Sequence, residues 1–281
     1  MSERPLAVVT GGARGIGRRI AADLRTAGYR VVIGDLDEKA TLEAAAELGS
    51  GVTGVRLDIT DRQLVRQTID EIETTLGPID VWVNNAGIMP TGAFAGQSVE
   101  LARTIIDVDY AALVETTAAI LPRFLARHSG TIVNIGSATG LKPLAGLAVY
   151  SGAKAAVIGF SDALRRELRG TGVTVRVVLP NLARTPLAAG ITPPKLVPAV
   201  TAEQVSRAVL RSIRSGPFAV TVPRVLGPVL RISRLLPSQV QDWLDDRIGT
   251  DSIGLGGDPA ARAAYQRDAL RKIDAEPRTE R

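Results

Sequence analysis

Short apolar runs bounded by chain-breaking residues recur along this chain, and between them the apolar positions shift to helical spacing. Leu6-Ala7-Val8-Val9 and the run from Tyr29 to Ile33 come first, and similar runs lie near 52–57, 79–84, 130–135, 173–179 and 218–222. Runs of this length without polar alternation read as strands buried on both faces. Ile20, Ala21 and Leu24 begin a helical stripe after the first run, and further helices are predicted over Glu38–Leu48, Val99–Arg127 and Tyr150–Arg169. Thr201-Ala202-Glu203-Gln204 has the spacing of a capping box, in which a threonine hydroxyl and a glutamine amide satisfy backbone N–H groups at a helix start. The regular alternation predicts an α/β fold: a doubly wound parallel sheet of about seven strands with helices on both faces. It occupies residues 1–225 as one unit and leaves 226–281 as a C-terminal extension.

The first strand breaks at Thr10-Gly11-Gly12-Ala13-Arg14-Gly15-Ile16-Gly17 before the helical stripe begins. Strand, glycine loop, helix is the context in which backbone can approach a dinucleotide pyrophosphate and offer it the free N–H groups and positive dipole end of a helix. A tight strand-to-helix turn without a ligand would look the same. The second strand ends at Gly34-Asp35-Leu36-Asp37. A carboxylate about twenty residues past such a loop can take both ribose hydroxyls of the adenosine and would repel a 2′-phosphate, so Asp35 favours NAD over NADP. Asp35 could equally be a turn or cap residue, a role Asp37 also fits. Arg14 argues the other way, since a guanidinium in the loop could pair with a 2′-phosphate. Leu36 adds no second cation, so the reading is NAD with NADP as the alternative.

Tyr150 and Lys154 lie four residues apart in a predicted helix, with Ser137 upstream. Positions i and i+4 share a helical face, which places an ammonium beside a phenol. A phenol titrates at about 10, and making it an acid/base near neutrality takes about 4 kcal/mol of preference for phenolate. A cation a few ångströms away in a dry site would supply much of that, so the pair reads as a tuned acid/base with an acidified tyrosine. The same spacing also occurs on ordinary solvated faces.

The ordered set Thr10-Gly11-(Gly12-Ala13-Arg14)-Gly15-Ile16-Gly17, Asp58, Asn84-Asn85-Ala86-Gly87, Ser137, Tyr150-(Ser151-Gly152-Ala153)-Lys154, and Pro180 with Thr185 resembles the short-chain dehydrogenase/reductase family in its single-domain, Rossmann-type form. The resemblance spans residues from about 5 to 225. It implies that Tyr150 exchanges a proton with the alcohol oxygen while hydride moves at the nicotinamide. Ser137 would bind the substrate oxygen, and Lys154 would hold the nicotinamide ribose. It further implies cofactor contacts at Gly11, Arg14, Gly15, Ile16, Gly17, Asp35, Leu36, Asp58, Ile59, Asn85, Ala86, Gly87, Pro180, Ala183 and Thr185, and a homodimer or homotetramer paired through the two long helices. Read without it, Asn84-Asn85-Ala86-Gly87 is an ordinary strand-ending turn and Ser137 a loop hydroxyl.

Two positions depart from the family pattern. Asp109 stands where the family's fourth catalytic residue is usually Asn, and an ionised carboxylate there cannot donate but could pair with Lys154. Activity with a shifted pH profile is expected, and a non-catalytic dinucleotide-binding sensor or scaffold is the rival. Asn181 follows Pro180 where the family normally has Gly, and is expected to tolerate a positive φ at the turn.

Composition narrows the remaining possibilities. The chain has 281 residues, a formal net charge of +5, no cysteine and one histidine, His128. Scattered arginines without interleaved aromatics argue against nucleic-acid binding, and a lone histidine at a helix end argues against a metal site. The absence of cysteine and the polar start Met1-Ser2-Glu3-Arg4 suggest the cytoplasm, and no apolar run is long enough to span a bilayer. Between 185 and 201, Lys195 is the single charge among Pro186, Leu187, Ile191, Pro193, Pro194, Leu196, Val197 and Pro198. Such a loop suggests a lipophilic small-molecule substrate, or packs its own apolar side chains on the core. In the extension, Val229, Leu230, Ile232, Leu235 and Leu236 fall on one side of a predicted helix with Arg231 and Arg234 opposite. Residues 226–236 could thus meet a neighbouring subunit, cover a substrate entrance or touch a membrane surface weakly. Past Gly249 a partly ordered tail with a helix over Pro259–Lys272 is expected.

Overall fold

The computed structural model describes residues 4–194 and 199–274, and the side chains of all but 268–274 among these. In chain order the elements are β1 (Leu6–Thr10), α1 (Gly15–Thr26), β2 (Arg30–Asp35), α2 (Glu38–Leu48), β3 (Val52–Arg56), α3 (Arg62–Leu76) and β4 (Ile79–Asn84). There follow α4 (Val99–Ile106), α5 (Ala112–Arg127), β5 (Gly130–Ile135), α6 (Ala148–Glu167), β6 (Val173–Pro180), α7 (Ala202–Arg214) and β7 (Ala219–Val222). The extension adds α8 (Leu226–Ser233), α9 (Ser238–Ile248), α10 (Ser252–Leu255) and α11 (Pro259–Asp274).

The seven strands form one sheet in the order β3-β2-β1-β4-β5-β6-β7, and every neighbouring pair is parallel. Because successive strand residues point to opposite faces, each apolar run feeds two cores. Ala7, Val9, Val81, Val83 and Val133 meet Ile20, Leu24, Val205 and Val209 of α1 and α7 on one side. Leu6, Val8, Trp82 and Ile132 meet Ile69, Ile120, Phe124 and Leu164 of α3, α5 and α6 on the other. Each fully buried Leu, Ile or Phe contributes about 1.5–3 kcal/mol, so continuous strands like LAVVT are stable only with both faces covered. The strand order reverses between β1 and β4, and the loops after their carboxyl ends open the crevice in which doubly wound sheets bind ligands.

Caps explain several helix starts. Asp37 accepts from the Ala40 N–H at 3.1 Å, Asp61 from Gln63 and Leu64, and Thr201 and Gln204 complete the expected capping box. His128 closes α5 in the left-handed conformation, φ 50°.

Three expectations need correction here. The helix predicted over Val99–Arg127 is broken by a π-helical turn at Asp107–Ala111 between α4 and α5. One extra residue per turn rotates Val108 and Asp109 inward together, and both are buried. Asn181 does not take a positive φ; among the described residues His128 is the only non-glycine that does, and Asn181 is tied to the sheet by its N–H on Val222 O at 2.9 Å. The amphipathic segment is shorter than expected. Val229, Ile232 and Leu235 are exposed, as are Arg231 and Arg234, while Leu230 and Leu236 are half-buried; the helix stops at Ser233 with Gly227 buried on its inner side. Of the proline-rich loop, Lys195, Leu196, Val197 and Pro198 lie outside the described residues.

Candidate active site

The crevice is a cavity of about 310 Å³ at the carboxyl ends of β1, β4, β5 and β6. All the expected site residues line it. Gly11, Arg14, Gly15, Ile16 and Gly17 come from the loop after β1, Asp35 and Leu36 from the end of β2, and Asp58 and Ile59 from beyond β3. Asn85, Ala86 and Gly87 follow β4; Ser137 follows β5; Asp109 comes from the π turn; Tyr150 and Lys154 come from α6; Pro180, Ala183 and Thr185 follow β6.

The glycine loop is built around backbone proximity. A Cβ on Gly17 would stand 2.1 Å from the Gly11 carbonyl oxygen, so the first turn of α1 can lie against the loop only with glycine there. Asn85 ties the two crevice walls together. Its side-chain amide donates to Thr10 O at 2.9 Å and Gly11 O at 3.1 Å, and the Asn85 and Ala86 N–H groups donate to the Thr10 hydroxyl. The amide of Asn85 is therefore occupied in scaffolding, and its face toward the cavity is mostly backbone.

Asp35 accepts from the Ala13 N–H at 3.2 Å, which fixes the carboxylate at the rim beside the glycine loop. Arg14 forms an ion pair with Asp37 at 3.2 Å. The guanidinium that could have met a 2′-phosphate is thus already engaged by a carboxylate. These residues fit a dinucleotide: a loop stripped of side chains at its closest approach, free N–H groups at the start of α1, and a carboxylate placed to accept from ribose hydroxyls.

At the opposite end lie Ser137, Tyr150, Lys154 and Asp109, all at least nine-tenths buried. The Lys154 Nζ stands 5.6 Å from the centre of the Tyr150 ring and 2.9 Å from Asp109 Oδ1, and donates to Ile135 O at 3.5 Å. Asp109 Oδ2 accepts from the Ile88 N–H at 3.4 Å. A Cβ on Gly87 would meet Asp109 Oδ1 at 2.5 Å and Lys154 Nζ at 3.4 Å, so glycine leaves the room this ion pair needs. Ser137 accepts from the N–H and the hydroxyl of Thr139, which orients its hydroxyl at the strand end.

The electrostatics overturn the expected acidification of Tyr150. Burial pushes the phenol above its ordinary range, the Lys154 cation opposes this, the Asp109 carboxylate reinforces it, and the Ser137 hydroxyl eases it slightly; the net direction is up. Lysine at i+4 does face the phenol, but burial outweighs its field and Asp109 offsets part of it. Burial acts to lower Lys154, yet Asp109 and Tyr150 outweigh it and hold the ammonium above its usual range. Burial raises Asp109 itself, with Lys154 opposing.

Several residues that shape the site escaped sequence reading. Asn84 is a buried hub and no turn residue. Its carbonyl accepts from Trp82 Nε1 at 2.7 Å and the Thr116 hydroxyl at 2.8 Å, and its amide donates to Asn134 Oδ1 at 2.9 Å and the Thr117 hydroxyl at 3.3 Å. Asn134 continues to Ser161 of α6 at 2.8 Å, so the network joins β4 and β5 to the helix that carries Tyr150 and Lys154. Ile253 and Tyr265 of the extension also line the cavity. A lone aromatic in an alanine-rich tail is the signal the sequence offers for Tyr265, and nothing local gives its destination.

The short chain dehydrogenase family model matches residues 5–195. The chain is 34% identical over 214 residues to the ketoacyl reductase HetN of Nostoc sp. (strain PCC 7120), covering 74% of this chain and 75% of that one. It is 37% identical over 221 residues to the 1-deoxy-11-beta-hydroxypentalenate dehydrogenase of Streptomyces exfoliatus, covering 75% and 80%. Among solved structures it resembles a short-chain dehydrogenase/reductase of Burkholderia phymatum in complex with NAD, with a TM-score of 0.76, 22% identity, and 83% of this chain and 93% of that chain covered. The serine dehydrogenase of Escherichia coli superposes with a TM-score of 0.68 at 31% identity, covering 77% and 96%.

Proposed function

The chain belongs to the short-chain dehydrogenase family of NAD(P)-dependent oxidoreductases acting on CH–OH groups, and from that membership we propose that it transfers hydride between NAD(H) and a lipophilic secondary alcohol/ketone pair, or the corresponding alcohol/aldehyde pair. One observation carries the reading: Ser137, Tyr150 and Lys154 converge on the same cavity as the glycine loop and Asp35. A bound nicotinamide supplies the hydride acceptor or donor. Tyr150 Oη gives a proton to, or takes it from, the substrate oxygen. The Ser137 hydroxyl holds that oxygen against the phenol. Lys154 stabilises the phenolate that forms during alcohol oxidation, and Asp109 holds the ammonium in register.

NAD is favoured over NADP by the Asp35 carboxylate at the rim and by the engagement of Arg14 with Asp37. The Burkholderia neighbour's complex with NAD adds support. A lipophilic substrate is supported by Ile88, Met89, Leu144, Leu147, Leu187 and Ile253 around the catalytic end. The names of the two relatives, a ketoacyl reductase and a hydroxypentalenate dehydrogenase, accord with an oxygenated carbon skeleton. The site acts within a homodimer or homotetramer paired through the faces of α4–α5 and α6, and the exposed apolar and basic surface of α8 is a second contact between copies.

A screen of lipophilic alcohols and ketones with NAD(H) and NADP(H), followed by absorbance of the reduced nicotinamide, tests the reading. Turnover with NAD that Tyr150→Phe abolishes supports it. A panel silent with both cofactors, in a protein that still binds NADH, would instead identify a sensor. Pelleting with anionic vesicles alongside light scattering separates contact between copies from contact with a membrane at α8.

A further inference from the structure

We propose that Tyr265, on the C-terminal helix α11, is a substrate-binding and specificity-determining residue that donates a hydrogen bond to a second oxygen on the substrate, away from the reacting carbonyl. The inference rests on the alcohol/ketone reading above and narrows its substrate class to ketones or alcohols that carry a further acceptor, such as 3-oxoacyl esters or thioesters.

The extension does not trail away from the domain. Arg262, only 5% exposed, reaches across the mouth of the crevice and binds both of its lips. Its guanidinium donates to Met89 O, to the Thr91 hydroxyl at 3.0 Å, to Leu187 O at 2.9 Å and to Ala189 O at 3.2 Å. Asp258 N–H donates to Gly190 O at 2.8 Å, and Gln266 Nε2 to Thr91 O at 2.9 Å. Six such bonds to loops on opposite sides of the cleft hold the first turns of α11 as a wall of the site. Arg262 finds no carboxylate among the described residues and is satisfied by carbonyl and hydroxyl oxygens alone, a buried cation used as a clip.

That clip presents Tyr265 to the cavity. The Tyr265 oxygen accepts from the Met89 N–H at 3.0 Å, and among the described residues its own proton has no acceptor. Burial raises its pKa further above the ordinary phenol value, so the group stays a neutral O–H donor at any working pH. Two neighbours strengthen it as a donor: the N–H already bonded to its oxygen, and the Arg262 cation 4.7 Å from the centre of its ring. Met89 and Ile253 line the same cavity, and their side chains offer the phenol proton no acceptor, so a ligand oxygen entering there can take it.

The test pairs ethyl 3-oxobutanoate with 2-hexanone, substrates of similar size that differ in the second carbonyl. Binding of each to the NADH complex is read by nicotinamide fluorescence, and turnover is read separately. The expected result is at least tenfold tighter binding of the oxo ester by the wild type, with Tyr265→Phe, which keeps the ring and its stacking on Arg262, erasing most of that preference. Equal binding of the two ligands by the wild type, binding of neither, or an undiminished preference in Tyr265→Phe would overturn the proposal. A binding preference that depends on Tyr265 without turnover of either compound would leave the inference standing and overturn the hydride-transfer reading alone.

Discussion

Lys154 holds its ammonium 2.9 Å from Asp109 Oδ1 while standing 5.6 Å above the Tyr150 ring, so one buried cation serves two partners of opposite effect. Burial raises the phenol and the Lys154 cation opposes it, while the Asp109 carboxylate offsets part of that cation, so the phenol is left less acidic than the Tyr–Lys pair alone would make it. That balance is specific to a carboxylate on the π turn, and it can be altered by a single isosteric change.

Asp109→Asn removes one of the two influences that raise Tyr150 and returns the field of Lys154 to the phenol. Phenolate then forms at lower pH. Alcohol oxidation needs the phenolate as base, so its pH–rate limb should move to lower pH, with a gain at neutrality of about tenfold. Ketone reduction needs the protonated phenol, so its fall at high pH should begin earlier. Profiles of kcat/KM from pH 6 to 10 in both directions check this, and unchanged profiles would remove Asp109 from the acid–base account.

Asp35→Ala tests cofactor choice. The carboxylate at the rim accepts from Ala13 N–H and faces the cavity, where it would repel a 2′-phosphate. Its loss should lower the ratio of kcat/KM for NAD over NADP by at least about tenfold, or about 1.4 kcal/mol. Identical ratios in the two proteins would mean that the discrimination lies elsewhere.

Gly87→Ala puts a carbon 2.5 Å from Asp109 Oδ1, and neither the carboxylate nor the facing ammonium is at the free end of a mobile surface chain. The pair must separate or the loop must shift, at a cost of about 1–3 kcal/mol. Thermal unfolding should show a Tm lower by several degrees, and kcat should fall with Tyr150, Lys154 and Ser137 all intact. A variant as stable and as active as the wild type would show that the ion pair tolerates displacement.

Asn84→Leu keeps the volume and removes the hub. Trp82 Nε1, the Thr116 hydroxyl and the Asn134 carbonyl each lose a buried partner. Thr116 keeps its bond to Leu113 O, so two groups are left without a partner, and at about 1–3 kcal/mol for each a loss of at least about 2 kcal/mol is expected in denaturant unfolding. Trp82 fluorescence should change as its indole N–H is released. A midpoint within error of the wild type would mean that water replaces the amide.

How far the sequence is legible differs between parts of the molecule. Apolar runs located all seven strands to within a few residues, because a strand covered on both faces is built mainly of apolar residues. The glycine loop, the capping box at Thr201 and the closure of a helix at His128 are local chemistry and were readable as such. The π turn was not, since one inserted residue hardly disturbs a helical hydrophobic pattern yet carries Asp109 into the crevice. Asn84 looked like the start of a turn because its partners sit on α5 and β5, far along the chain. Tyr265 is further still, 176 residues from the Met89 N–H it meets.

The residue order alone determined the parallel sheet and the crevice at its carboxyl edge, because burial periodicity and backbone-hugging glycines act over a few residues at a time, and the family resemblance of its ordered motifs supplied the groups expected to face that crevice. Only the tertiary structure decided how strongly those groups perturb one another. Electrostatic fields and buried hydrogen bonds depend on distances between segments that pack together from far apart, so the restraint of Lys154 by Asp109 and the closing of the site by Arg262 exist only once the chain has folded.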